Sequence, residues 1–116
     1  MSESVSVLGT KYKIKVVNID AIPENVGGIC DVDLHEILIL DLKSDPEWKD
    51  ESDEKITARQ KNFLRHEIVH AFFNESGLRD NCAIPQFSWA CNEEMVDWIA
   101  SQGPKIYKAW QEAEAL

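Results

Sequence analysis

Apolar residues alternate with polar ones early in the chain and recur at helical spacing later, so the pattern predicts strands first and helices after. From Lys11 to Ile19 the alternation places Tyr12, Ile14 and Val16 on one face and Lys11, Lys13 and Lys15 on the other, a half-buried strand with one wet face. The lysines also guard an edge against pairing with other chains. Residues 1–10 carry no periodic signal and are expected to form a loose arm. The connection Ala21–Gly28 contains Pro23 and the pair Gly27-Gly28 and reads as turns, with a short helical turn over Asp20–Asn25. Ile29–Val32 and Glu36–Leu42 flank Asp33-Leu34-His35 and predict a hairpin. Its second arm, Ile37–Leu40, is apolar on both faces and is expected to be covered from both sides.

Lys43–Asp53 is a polar loop interrupted by Trp48, which is expected to cover the core. From Ile56 to Ser76 there is neither Pro nor Gly, and Gly77 closes the run, which predicts a helix. Its start lies between Asp53 and Thr57: Thr57 with Gln60 resembles a capping box, and Ser52 or Asp53 serves equally well. Phe63, Leu64, Ile68, Val69, Ala71, Phe72 and Phe73 surround this helix with apolar groups, which marks it as central. Leu78–Gln86, with Pro85, is a loop. A second helix starts near Phe87 or Ser88 and breaks at Gly103-Pro104, and Pro104 opens a last helix. There Ile106, Tyr107, Ala109, Trp110 and Ala113 form a stripe suited to the core. The predicted fold class is α+β, a small mainly antiparallel three-stranded sheet packed on three helices, in a single domain over 1–116 without repeat or linker.

Within the first helix stands His66-Glu67-Ile68-Val69-His70. Residues four apart share a helix face, so His66 and His70 can hold one metal ion, while Glu67, about 100° round the axis, lies beside it within reach of water. Two imidazole ligands with an adjacent carboxylate base are the elements of a zinc hydrolase site. The plain alternative is a buried helix whose histidines bond to backbone or carboxylates, but two imidazoles and a carboxylate are costly to desolvate unless they serve a metal. Catalytic zinc takes a third protein ligand. On the second helix Glu93 and Asp97 share a face, so Glu93 suits the metal and Asp97 suits the outer N–H of a ligand histidine, fixing its tautomer. Glu94 points elsewhere and reads as a solvated charge.

Composition narrows the choice. The chain has 116 residues, 44% hydrophobic and 28% charged, the make-up of one globular domain. No apolar run approaches a membrane span, and the N-terminus lacks the features of a signal peptide, so no membrane role and a cytoplasmic location are expected. A net charge of −9 repels phosphate backbones and disfavours nucleic acid as partner. Cys30, Cys82 and Cys91 show no CxxC spacing and read as core residues. A closed structural zinc site using Cys82 or Cys91 is the sharper alternative; Cys91 and Glu93, two apart on one helix, would face opposite ways. His35, in the hairpin turn, reads as a surface histidine. Nothing in the pattern sets an oligomeric state.

HExxH followed by NExxxD on a later helix resembles the gluzincin branch of zinc metallopeptidases. The small size, with Glu93-x-x-Val96-Asp97-x-Ile99-Ala100 echoing a Glu-x-x-Ala-Asn-x-Phe-Ala pattern, is similar to the ImmA/IrrE family of minimal, zincin-like metallopeptidases common in temperate phages and integrative elements. The resemblance spans about Gly28 to Ile106. It implies Zn2+ held by His66, His70 and Glu93, Glu67 as catalytic carboxylate, and a protein or peptide substrate, in some members a repressor. Val96 and Asp97 stand where that family often has Ala and Asn. Glu67 would then take a proton from water and pass it to the leaving amine, with a sheet strand beside the metal holding the peptide extended. Tyr107, His35 and the arginines are the candidates for stabilising the oxyanion. Two other classes stay open: an antirepressor-like module that binds a regulator without cutting it, and a structural-zinc or metal-free domain.

Overall fold

A computed structural model describes residues 1–81 and 88–116. Its longest element, α1 (Asp53–Glu75), takes the earlier of the two predicted starts: the Ser52 hydroxyl accepts from the Lys55 amide at 3.2 Å. Asp53 and Glu54 place negative charge in the first turn, where the helix dipole favours it. Gly77, at φ +84°, closes the helix in the left-handed conformation that glycine adopts without strain. The Ser76 and Gly77 amides donate back to the carbonyls of Phe72 and Asn74 at 2.9 and 3.1 Å.

The fold is α+β, with a four-stranded mixed sheet and two helices among the described residues, not three strands and three helices. The strands are β1 (Ser4–Val7), β2 (Thr10–Val17), β3 (Gly28–Asp31) and β4 (Glu36–Leu40), in spatial order β1-β2-β4-β3. The additional strand comes from the segment expected to be a loose arm. Val5 pairs with Tyr12 across the antiparallel β1–β2 ladder, and Val7 is completely buried. The hairpin of β3 and β4 forms as predicted, turning through His35 at φ +54°. The central pair is parallel, however: β2 runs beside β4 with Ile14 opposite Ile37. This also removes β2 from the edge that its lysines were expected to guard. Ile37 and Ile39, on the face of β4 that α1 covers, are completely buried; on the opposite face Leu40 is buried and Leu38 only half-buried, so the expected cover on both sides is partial.

Val7, Tyr12, Ile14, Ile37 and Ile39 pack against Phe63, Leu64, Ile68 and Ala71 of α1. Each fully buried Val or Ile there contributes roughly 1.5–3 kcal/mol. The alternation predicted for β2 holds at Tyr12 and Ile14 but not at half-exposed Val16; Val17 packs instead against a second cluster of Ile22, Leu40, Leu42 and Ile56. Trp48 covers that cluster, as expected, and its ring lies under Lys55 and Arg59. At the far end of α1 the Tyr12 and Thr10 hydroxyls donate to the Glu75 carboxylate at 2.7 and 2.8 Å. Burial pushes the Tyr12 phenol up to about 12, and the Tyr12 hydrogen bond holds Glu75 below its ordinary range. The His35 ring meets that of Tyr12 at a tilt of 59° and lies 3.8 Å from Glu75, a place in this structural anchor.

The second helix, α2 (Glu93–Glu112), begins later than Phe87 or Ser88 because Ala90 and Cys91 belong to a separate short turn, Trp89–Cys91, and Asn92 caps the helix by accepting from the Met95 amide at 2.8 Å. Phe87 and most of the predicted loop Leu78–Gln86, including Cys82 and Pro85, lie outside the described residues. Gly103-Pro104 does not break α2, so no third helix follows. Pro104 lacks the N–H that would bond the Ala100 carbonyl one turn back. That carbonyl accepts instead from Arg65 Nε at 2.7 Å, which spares about 1–3 kcal/mol for an unmet buried acceptor. The stripe expected in the core is largely uncovered: Tyr107 and Trp110 are each 52% exposed, Ala109 and Ala113 are exposed, and Ile106 is half-buried. No described helix is long and apolar enough to cross a membrane.

Candidate metal centre

Polar side chains dominate the seam between α1 and α2. Asn62 meets Ser101, Arg65 meets Ala100, His66 meets Asp97 and His70 meets Glu93, so the helices run antiparallel. Only Val96 and Ala100 of α2 are buried. The helical spacing anticipated from the sequence is realised here: His66 and His70 share one face of α1, Glu93 and Asp97 one face of α2, and the faces meet.

Three donor groups converge. The Nε2 atoms of His66 and His70 are 3.1 Å apart, and the Glu93 carboxylate lies 2.9 Å from the first and 3.1 Å from the second. A tetrahedral zinc ion with bonds of about 2.0–2.2 Å holds its donor atoms roughly 3.3–3.5 Å apart, so small outward shifts make room for one. His66 Nδ1 faces Asp97 Oδ1 at 2.6 Å. With Nδ1 carrying the proton toward Asp97, Nε2 is left as a lone-pair donor, the tautomer that metal binding needs. Burial pushes the His70 imidazole below its ordinary range, with Glu93 opposing, which favours its neutral form. The residues present therefore fit a divalent cation.

Glu67 occupies the position beside this set. It is 5% exposed, and its Oε2 has no hydrogen-bond partner among the described residues. Burial pushes its carboxyl up to about 7; Glu93 and Asp97 add to the rise and His66 opposes it. A ligand atom of Glu67 lies within 4.8 Å of one from each histidine. A carboxylate so placed, with a proton affinity near neutrality, is suited to move protons in the cleft.

The strand that borders the site is β3. A Cβ at Gly28 would lie 2.9 Å from Glu67 Cγ and 3.1 Å from the Leu38 carbonyl; one at Gly27 would lie 2.6 Å from the Phe63 ring. The glycine pair, anticipated only as a turn, lets the start of β3 press against α1. Gly28→Ala is expected to displace the Glu67 carboxyl and lower any activity that depends on it by about 100-fold, the cost of a ~1 Å misplacement. Metal content should stay at the wild-type level, which rates measured beside metal analysis will test.

Two cavities flank Glu67 and Glu93. One, about 290 Å³, is bordered by His66, Asp97, Arg59 and Asn62; the other, about 590 Å³, by His70, Arg79, Cys30, Val32 and Cys91. Of the groups anticipated for oxyanion stabilisation, Arg59 and Arg79 border this cleft, while Arg65, Tyr107 and His35 do not line it. Cys91 sits in the turn before α2, so the argument that it and Glu93 face opposite ways does not apply. Cys30, as expected, packs against the core, and burial pushes its thiol up to about 12. Gly27, Gly28 and Arg65 are the residues whose part at the site was not anticipated; the signals were a glycine pair abutting an apolar strand and an arginine preceding the first histidine. Comparison with protein-family models, curated proteins and solved structures finds no match to this chain.

Proposed function

We propose that the protein is a zinc-dependent metallopeptidase of minimal zincin type, with His66, His70 and Glu93 as metal ligands and Glu67 as general base. The observation that carries this reading is the convergence of both Nε2 atoms with the Glu93 carboxylate at 2.9–3.1 Å, beside a buried Glu67 oxygen that has no hydrogen-bond partner among the described residues. When bound, zinc supplies Lewis acidity, polarising a carbonyl and making water acidic enough to surrender a proton near neutral pH. Glu67 accepts that proton and returns it to the amine as the peptide bond breaks. Asp97 holds the His66 ring in the required tautomer.

The remaining elements support a peptide substrate. Among the described residues β3 pairs with β4 alone, which leaves its other edge beside Glu67 and His70 for an extended chain to join by main-chain hydrogen bonds. Arg59 borders one cavity and Arg79 the other, which makes them the candidate donors to a developing oxyanion. The likeness of the two helical motifs to the ImmA/IrrE family favours a regulator such as a phage or mobile-element repressor as substrate, in the cytoplasm.

A second reading, a closed structural zinc site, draws on the place of Cys91 beside His70 and Glu93 in one cavity. Metal analysis separates the two. Wild-type protein should carry one equivalent of zinc, Glu93→Ala should lose it and Cys91→Ala should retain it. Loss in Cys91→Ala would favour the closed site, and retention in Glu93→Ala would remove Glu93 from the ligand set.

A further inference from the structure

We infer that Arg65 is a positioning residue for the metal centre: by gripping the main chain of α2, it sets where Glu93 and Asp97 stand against the two histidines. The inference rests on reading these residues as a metal site. In an uninterrupted helix the Ala100 carbonyl would be committed to the amide of residue 104. Pro104 has no such amide, so the carbonyl is released as an acceptor for another element. Arg65 Nε takes it at 2.7 Å, and a guanidinium makes this a charge-assisted bond.

The position of that bond gives it leverage. Arg65 immediately precedes His66, so the segment of α1 that carries the first imidazole is the one that grips α2. Glu93, Asp97 and Ala100 fall on one face of α2, so a slide or rotation of the helix moves all three together. The other link across the seam outside the histidine and carboxylate cluster, Asn62 Nδ2 to Ser101 Oγ, is 3.4 Å long and exposed. Glu93 and Asp97 are themselves well exposed, with 67% and 71% of their side-chain surface open, so their own packing does little to fix them. Arg65 and Pro104 thus form a matched pair: the proline frees an acceptor, and the arginine uses it to lock the spacing between ligand-bearing helices.

The pair predicts that fold stability and metal affinity respond differently to mutation. Zinc dissociation constants would be measured by competition with a chromophoric chelator, and thermal midpoints on metal-free protein, for wild type, Arg65→Ala, Arg65→Lys and the double variant Arg65→Ala/Pro104→Ala. Arg65→Ala should weaken zinc by about 10- to 100-fold, the range found when groups that orient ligands are removed. Arg65→Lys should recover part of the loss. In the double variant the amide at position 104 satisfies the Ala100 carbonyl within α2, so the metal-free midpoint should return toward wild type while zinc affinity stays weak. Unchanged affinity in Arg65→Ala, or affinity restored together with stability in the double variant, overturns the assignment. Should Arg65→Ala fail to fold, the double variant carries the test alone. Absence of zinc binding by wild type would instead overturn the metal-site reading, and this inference with it.

Discussion

Replacing Glu67 with glutamine is expected to cut peptide hydrolysis by about 10²- to 10⁴-fold, the usual contribution of a positioned acid–base group. The substitution keeps the shape of a side chain wedged against Gly28 and removes its ability to accept a proton. Zinc content should not change, because the converging donor atoms belong to His66, His70 and Glu93. Initial rates on a peptide substrate, measured beside metal analysis, check both halves. Cleavage at the wild-type rate would reject Glu67 as the base. A wild type that carries zinc but forms complexes with an intact partner, without cleavage, would favour a binding module over an enzyme.

The second large effect concerns stability. Bringing Glu93 and Asp97 against two imidazoles concentrates polar groups along a seam where only Val96 and Ala100 of α2 are buried. A cation bound only by the folded state should therefore tie α2 to α1. At free zinc 1,000 times its dissociation constant the linkage amounts to about 4 kcal/mol. At about 4 °C per kcal/mol for a chain of this size, that raises the melting temperature by roughly 15 °C. His66→Ala should abolish the increment, since it removes one ligand and the partner of Asp97. Thermal denaturation after chelation, with and without added zinc, measures this directly, and a midpoint indifferent to zinc would break the proposed coupling.

The parts of this fold that were legible in the sequence are those governed by short-range periodicity. His66/His70 and Glu93/Asp97 are spaced so that any helix puts each pair on one face, and Ser52 and Gly77 punctuate α1 by local chemistry. The hairpin of β3 and β4 was visible for the same reason. What was hidden depends on partners distant in the chain. Ser4–Val7 is too short to declare itself until Tyr12 stands opposite Val5. The parallel pairing of β2 with β4 is a choice of which arm of the β3–β4 hairpin lies beside β2, and local periodicity does not make it. Pro104 is a helix breaker by every local rule, and it is tolerated because an arginine from another helix reaches the carbonyl it leaves unmet. Gly28 could be recognised as permissive, but not as the gap that admits Glu67.

On the proposed reading, the side of β3 left unpaired among the described residues restricts what such a cleft would accept. A row of main-chain donors and acceptors engages only backbone that is already stretched out, and helices or closed sheets present none. A folded target would have to offer a linker, a frayed end or a locally melted segment. Discrimination would then lie as much in the mechanical looseness of the target as in its side chains, and a substrate of the proposed kind would be severed between its structured parts rather than within them.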